Sequence, residues 1–421
     1  MTLPMMTRSI TTRVQEFYSR HPYPHVSSLT RLDQPDFLRG RLNYALGRTG
    51  ARELPRRMRI WVPGAGTTLG VQTALHFPAA DVLATDLSAP SLAITVRLAA
   101  ELGVTNLVTR VENLLDADYR NQFDYVDCAG VLNHVEDPAR GWKALARSLR
   151  PSGVASIFIY NAEHRWPSDV WQSCLSLLTG GAEHLATRWQ VAAALARDVR
   201  RSSMIPTIRD AVASLDPAVC PEDFGDTLVH PHEASYSLKE MFDLVSTAGL
   251  RFAGWRLPEE WDTATYLVSP DLRRRAARLD PERRFELVWT LAGRDSPFFD
   301  FYVEKPGHEE RARRPLSASV RLQRLSGVTY ISVRRNRVHS RWHLPAIRKT
   351  AKGLAVLRNE DSRHKSETWV PISASEHRLL MACDGSTRLG DMLPAHARAR
   401  ADARGFLTRM LAPGHGVLAP A

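Results

Sequence analysis

The stretch from Met58 to Tyr160 alternates short apolar runs with helix-like segments, and few folds accommodate that order. The strand-like runs are Met58–Val62, Asp81–Thr85, Leu107–Val111, Phe123–Ala129 and Val154–Tyr160. Between them lie a segment reaching about His76, a helix Ser88–Leu102 ended at Gly103, and a helix Pro138–Leu149 followed by the turn Pro151-Ser152-Gly153. Ser88 offers the side-chain oxygen that caps a helix start, and Gly103 tolerates the left-handed conformation that ends one. Five β units in roughly 105 residues, joined by crossover helices, predict a doubly wound parallel sheet.

One turn in this frame is built for close approach. Ile60-Trp61-Val62-Pro63-Gly64-Ala65-Gly66-Thr67-Thr68-Leu69-Gly70 leads from a strand through Gly-x-Gly into a helix. Glycine lacks the Cβ that would keep a ligand off the backbone. The spacing Gly64, Gly66, Gly70 breaks the G-x-G-x-x-G dinucleotide pattern at Thr67-Thr68-Leu69, and no G-x-x-x-x-G-K-[ST] occurs. Both absences argue against nicotinamide and phosphate-cradling sites. Asp86 ends the next strand, about 20 residues past the turn, where a carboxylate suits a bidentate contact to ribose hydroxyls. Its alternative role is to cap the following helix, which Ser88 can do instead.

Residues 58–161 resemble the core of class I S-adenosylmethionine-dependent methyltransferases. The glycine turn is similar to their first motif, and Thr85-Asp86-Leu87-Ser88 to their D-L-S after the second strand. Phe123-Asp124-Tyr125-Val126 through Gly130-Val131-Leu132-Asn133-His134-Val135-Glu136-Asp137-Pro138 resembles the fourth strand and its exit. Leu149-Arg150-Pro151-Ser152-Gly153-Val154 resembles the L-K-P-G-G turn. The resemblance implies S-adenosyl-L-methionine as cofactor, held by Gly64, Ala65, Gly66, Thr67, Asp86, Leu87, Asn113, Leu114, Gly130 and Val131. Three positions depart from the family pattern. Val62 replaces an acid two residues before the first glycine, Thr68 replaces the third glycine, and Asn113, with Asp116 nearby, replaces the acid expected beside adenine. Asn113 can still accept from an adenine amino group through its carbonyl.

Methyl transfer needs alignment and exclusion of water more than covalent help, with a base only where the acceptor must lose a proton. Three segments could face the acceptor. Phe17-Tyr18-Ser19-Arg20-His21-Pro22-Tyr23-Pro24-His25 gathers aromatic and imidazole groups on a proline-fixed turn, as either a lid or a packed helix end. Asn133 and His134 follow the fourth strand. His230 and His232, with Tyr236, precede a predicted helix Ser237–Ala248, and Tyr160 with Asn161 complete the rim. Tyr23, His21 and His134 are the catalytic candidates; Tyr18, His25, Asn133, Tyr160, Asn161, His230, His232 and Tyr236 the substrate contacts. The His230/His232 pair could ligate a metal, but the sequence offers no convincing third ligand, so no metal is expected.

Four segments follow. Residues 1–55 form an N-terminal helical lid or substrate segment, with helices over 7–20 and about 35–46. Residues 56–305 form the methyltransferase-like α/β domain, with helical insertions at about 162–230 and 270–296 and further strands at Arg251–Leu257 and Pro297–Val303. The Arg/Glu/Pro-rich residues 306–319 read as a linker. Residues 320–421 read as a small α+β domain, with a helix Glu376–Cys383. Its "Cys383-Asp384-Gly385-Ser386-Thr387-Arg388-Leu389" stretch resembles small winged-helix peptide-binding modules, which implies a peptide acceptor. The other role for this region is packing on the enzyme or homodimerisation.

Composition narrows the functional class. The net charge of +11 invites a nucleic-acid partner. The arginines are instead dispersed, and clusters such as Arg273, Arg274 and Arg275, or Arg311, Arg313 and Arg314, sit among Asp and Glu. No N/D-P-P-Y/F-type motif follows the fourth strand, which argues further against a nucleic-acid methyltransferase. Cys128, Cys174, Cys220 and Cys383 are widely spaced and read as reduced thiols. The first residues lack an apolar signal core, and no run reaches the ~20 apolar residues of a membrane helix. The expectation is a cytoplasmic enzyme in a biosynthetic pathway acting on a small molecule or peptide. The alternative from another class is a regulatory protein that binds the cofactor without turnover.

Overall fold

A computed structural model describes residues 9–25, 27–180, 184–201, 206–213, 215–293, 295–296, 298–307, 317–351, 353–358, 368–411 and 417–421. Its centre is a seven-stranded sheet. In chain order the elements begin with α1 (Ile10–Arg20), β1 (Ser27–Leu32), which joins another sheet, α2 (Phe37–Ala45), β2 (Arg59–Pro63), α3 (Leu69–His76), β3 (Asp81–Asp86), α4 (Ala89–Leu102) and β4 (Leu107–Val111). Then come β5 (Phe123–Ala129), α5 (Pro138–Ser148), β6 (Leu149–Tyr160), α6 (Ala162–Thr179), α7 (Leu185–Arg201), β7 (Arg251–Trp255) and β8 (Phe298–Glu304). The strand order is β4-β3-β2-β5-β6-β8-β7. Strands β2 to β6 pair in parallel, while β8 runs antiparallel to both β6 and β7.

The order reverses between β2 and β5, and open α/β sheets bind ligands in the crevice at the carboxyl ends beside such a switch. Successive residues of a strand point to opposite faces, so both faces must be covered. Trp61, Val126, Cys128, Ile157, Ile159, Phe299 and Phe301 pack on one side with Trp142 and Leu145 of α5 and with Met241 and Val245 of the helix Leu238–Thr247. Ile60, Val62, Val82, Ala84, Tyr125 and Val154 pack on the other with Ala74 of α3 and Leu42 of α2.

Element ends partly differ from the sequence reading. Helix α6 begins at Ala162, at the start of the expected insertion, because the Asn161 side chain accepts from the Glu163 N–H and caps it, with Pro167 tolerated inside. Strand β6 extends back through Pro151-Ser152-Gly153 to Leu149. The expected linker falls largely on 308–316, outside the described residues, as do Arg311, Arg313 and Arg314. Arg274 and Arg275 both pair with Asp271, which offsets part of that basic cluster.

Residues 317–421 contribute mostly strands. β9 (Arg321–Arg324) pairs with β15 (Asp384–Arg388) and β16 (Leu418–Pro420); β12 (Ile347–Thr350), β13 (Gly353–Arg358) and β14 (Thr368–Ile372) form a second sheet. The third joins β10 (Gly327–Arg334) and β11 (Arg337–Pro345) to β1, with Ser27 opposite Val333 and Leu32 opposite Val328. Phe37 of α2 is fully buried in the core of this region, among Leu322, Leu325, Leu407 and Met410. The N-terminal segment therefore bridges the central sheet and the C-terminal strands. Among the described residues no helix is long and apolar enough to cross a membrane, and all four cysteines are free thiols.

Candidate active site

The turn after β2 carries Gly64 at φ 60° and Gly66 at φ 54°, the left-handed region that side chains disfavour. Space forbids a side chain as well. A Cβ on Gly64 would lie 2.4 Å from Val131 Cγ2, and one on Gly66 would lie 2.6 Å from the Tyr23 carbonyl oxygen. Asp86, at the end of β3, ties the turn together: one carboxylate oxygen accepts from the Gly66 N–H and the other from the Ser88 N–H, both at 2.8 Å. Burial raises its pKa, and the two N–H bonds pull it back. Ser88 caps α4 by accepting from the Ser91 N–H, which leaves Asp86 facing the cleft.

A cavity of about 870 Å³ opens at this point. Gly64, Ala65, Gly66, Asp86, Leu87, Asn113, Leu114, Gly130 and Val131 line one end; Tyr18, Tyr23, His134 and Tyr160 line another. Thr67 is fully buried behind the turn. Val62 belongs to the sheet core and does not line the cavity. The Asn113 carbonyl accepts from the Leu115 N–H at 3.0 Å, so it also caps the short turn that follows. A side-chain-free cradle beside a buried carboxylate, at the switch point of the sheet, fits an adenosyl cofactor.

Helix α1 and the turn behind it lie across this crevice. Thr11 donates to Glu136 at 3.0 Å, Gln15 donates to the Leu87 carbonyl at 3.1 Å, and Ser88 Oγ donates to the Tyr18 carbonyl at 3.0 Å. The Thr67 N–H donates to the Tyr23 carbonyl at 3.1 Å and its hydroxyl to the Pro24 carbonyl at 2.5 Å. Tyr18 and Tyr23 are thus hung from the cofactor motifs themselves. His21 stacks on Trp189 with centroids 4.9 Å apart, and His25 sits 3.5 Å from Glu222; neither lines the cavity.

His134 is buried and its Nδ1 lies 3.0 Å from the His232 carbonyl. A carbonyl can only accept, so Nδ1 carries the proton and Nε2 presents a lone pair. Burial lowers its pKa to about 4, too weak a base to take a proton efficiently at neutral pH. His230 lies against it, centroids 4.1 Å apart, and burial and His134 depress its pKa further. The remaining candidates hold the scaffold. Asn133 donates to the Ala234 carbonyl at 2.5 Å, Tyr236 to the Leu132 carbonyl at 3.2 Å, and Asn161 to the Gly293 and Ser296 carbonyls at 2.8 Å. None of these three, nor His230 or His232, lines the cavity. Among the described residues, no three His, Cys, Asp or Glu side chains are grouped to hold a metal.

Comparisons with known proteins bear on the same region. A family model described as a methyltransferase domain matches residues 63–155. Two structures of PKMT2 from Rickettsia typhi, one in complex with AdoHcy, share the fold at TM-scores of 0.55 and 0.56, with 12% identity over 95% of this chain and 77% of that one. Residues 63–155 therefore carry a methyltransferase domain, set in a chain that shares the fold of PKMT2. An uncharacterized protein of Synechococcus sp., syc1184_c, is 28% identical over 310 residues, 71% of this chain and 72% of that protein.

The methyltransferase cavity also holds residues that no sequence motif marks. A π-helical turn, Gly225–Val229, follows the short helix Pro221–Phe224 and brings Asp226 to the cavity wall; such turns recur at functional sites. Tyr18 donates to Asp226 at 3.0 Å. Burial raises the Asp226 pKa to about 7, against the Tyr18 hydrogen bond. Arg165 lies over the Tyr160 ring at 4.2 Å and pairs with Glu233. Farther in, Asp127, Ser156 and Asp300 share one face of β5, β6 and β8 and line the cavity together with Arg41 and Arg256. A polar stripe in the middle of a sheet is the one sign the sequence carried for this arm, and each residue sits alone among apolar neighbours there.

Proposed function

We propose that the methyltransferase passes its methyl group to a small molecule or a peptide side chain that enters the cavity beside Tyr18, Tyr23, His134 and Tyr160, as a step in a biosynthetic pathway. The observation that carries this reading is the continuity of the cavity. One space is walled by the Gly64–Gly66 turn and Asp86 at one end and by those four side chains at the other. In this proposal Gly64, Ala65, Gly66, Asp86, Leu87, Asn113, Leu114, Gly130 and Val131 hold the cofactor, which supplies an electrophilic methyl group. Tyr18 and Tyr23 exclude water as they close the crevice. His134, neutral and fixed by the His232 carbonyl, presents Nε2 as a hydrogen-bond acceptor that orients the incoming group.

Tyr330 and Leu411 also line the cavity. The C-terminal region therefore takes part in selecting the acceptor, which supports a role beyond surface packing. Isothermal titration with S-adenosylmethionine and S-adenosylhomocysteine, with Asp86→Ala as the control, tests the cofactor half. Transfer of label from methyl-tritiated S-adenosylmethionine tests the rest. Micromolar binding that the variant loses, together with turnover, supports the proposal; binding without turnover on any acceptor turns it toward a regulatory protein.

A further inference from the structure

Asp226 is the acid that the cofactor site leaves without a role. It lines the cavity, half-buried, together with Tyr18, Tyr23 and Tyr160. The Tyr18 hydroxyl, which donates to it at 3.0 Å, belongs to a residue whose carbonyl accepts from Ser88 in the second cofactor motif. Tyr23 is tied in the same way to the first motif through Thr67. The carboxylate is therefore one side chain away from both turns that grip the cofactor.

The charges around it are lopsided. Arg165 is engaged with Glu233 and stacked on Tyr160, so that pair is close to neutral. Asp226 adds a negative charge and Asp223 a second nearby one, while burial keeps Tyr18, Tyr23 and Tyr160 protonated. Aromatic faces beside one carboxylate favour a cation. His134 and His230 stay neutral and supply none.

We propose that the part of this cavity beside Tyr18, Tyr23 and Tyr160 is an amine subsite, in which Asp226 is the proton acceptor for a nitrogen that receives the methyl group. The inference rests on the methyltransferase reading above and narrows its acceptor. An ammonium entering the subsite gives one proton to the Asp226 carboxylate. The freed nitrogen lone pair forms the N–C bond to the methyl carbon as the C–S bond breaks, and that bond's electron pair stays on sulfur. The products are S-adenosylhomocysteine and a methylated ammonium. Asp226 then releases its proton to solvent, with no other reactant consumed. A half-ionised carboxyl near neutrality is matched to this exchange. His134 is too weakly basic for it.

Sinefungin, in which an amine-bearing carbon replaces the methyl sulfonium, places a cation where methyl and acceptor meet and needs no identified substrate. Its affinity relative to S-adenosylhomocysteine, titrated on the full chain, reads the subsite directly. At pH 8 sinefungin should bind roughly tenfold tighter or more, the worth of a charge-assisted hydrogen bond. The advantage should fade as pH drops through 7, where Asp226 takes up a proton. Asp226→Asn should abolish the advantage while S-adenosylhomocysteine affinity holds, which also shows that the variant is folded. Tyr18→Phe removes a bond to the ionised carboxylate and should move the midpoint to higher pH, a second reading if Asp226→Asn does not fold. Equal affinities in the wild type at pH 8, or an advantage that survives in Asp226→Asn, overturn the amine subsite and leave the methyltransferase reading intact. Failure to bind S-adenosylhomocysteine overturns both.

Discussion

A single methyl group on Gly66 should separate two contributions that usually travel together. Gly66 has φ 54°, and its added Cβ would stand 2.6 Å from the Tyr23 carbonyl oxygen. Gly103, at the end of α4, has φ 66° and nothing within 4 Å of the corresponding position. Alanine at Gly103 therefore meets only the left-handed penalty, about 1–2 kcal/mol. Alanine at Gly66 meets the same penalty and must also push away the Tyr23 carbonyl, which belongs to the backbone and cannot rotate aside. That displacement takes the Thr67 N–H bond to Tyr23 and the Thr67 hydroxyl bond to Pro24 with it. Two bonds at about 1 kcal/mol each bring the expected total to about 3–4 kcal/mol. Denaturant unfolding of both variants measures the difference. Titration with S-adenosylhomocysteine should show a loss on the order of tenfold or more for Gly66→Ala and none for Gly103→Ala. Equal destabilisation and equal affinity in the two variants would refute the argument that the N-terminal turn is seated on the glycine loop.

Asp86→Ala leaves the Gly66 and Ser88 N–H groups without their acceptor, and an unmet buried donor costs about 1–3 kcal/mol. Cofactor affinity should fall on the order of 100-fold in calorimetry. Arg48 is fully buried against Glu304 at 2.7 Å, with Arg52 at 3.5 Å and Arg251 also on that carboxylate. Arg48→Met should destabilise by about 3 kcal/mol, the low end for a broken buried pair because two arginines remain, and should not alter S-adenosylhomocysteine binding. The pH dependence of stability should carry two opposed signatures. His134 has a folded pKa near 4 against about 6.5 unfolded, so its contribution is present above pH 6.5 and lost as pH falls toward 4. Asp226 is raised to about 7, so the folded state holds an extra proton between about pH 4 and 7, and its contribution is lost as pH rises. Unfolding measured from pH 5 to 7.5 should show a shallower rise with pH in His134→Gln and a steeper one in Asp226→Asn; slopes that match wild type would contradict both assignments.

The central sheet was legible because its information is local. Leu107–Val111 and Phe123–Ala129 are apolar runs whose flanking turns announce them, and Ser88 with Gly103 brackets α4 by side-chain and backbone chemistry alone. The cavity end at the glycine turn was legible for the same reason, since the turn and Asp86 lie on adjacent strands about 20 residues apart. Strand β1 was not. Ser27-Ser28-Leu29-Thr30-Arg31-Leu32 is short and largely polar, and it becomes a strand only by pairing with β10. Asp226 was hidden by a different cause. It sits in an insertion with no strand rhythm, and its place on the cavity wall depends on a π-helical turn that residue patterns do not reveal. The placements of Asn133, Asn161 and Tyr236 show the converse: a conspicuous polar side chain next to a motif can serve a carbonyl on a neighbouring loop.

The pairing of β1 with β10 sets an order of events during synthesis. Ser27 meets Val333, a partner made some three hundred residues later. At ribosomal speeds of about 5–20 residues per second, the N-terminal segment waits tens of seconds for the strand that anchors it. Until then the N-terminal segment rests on the glycine loop, on Ser88, Leu87 and Glu136, and on the Thr30 bonds to Gln72 and His76, while β1 has no partner strand. A product stalled before Gly327 completes the parallel sheet while β1 lacks its partner, so the pairing of Ser27–Leu32 reports synthesis past Val333.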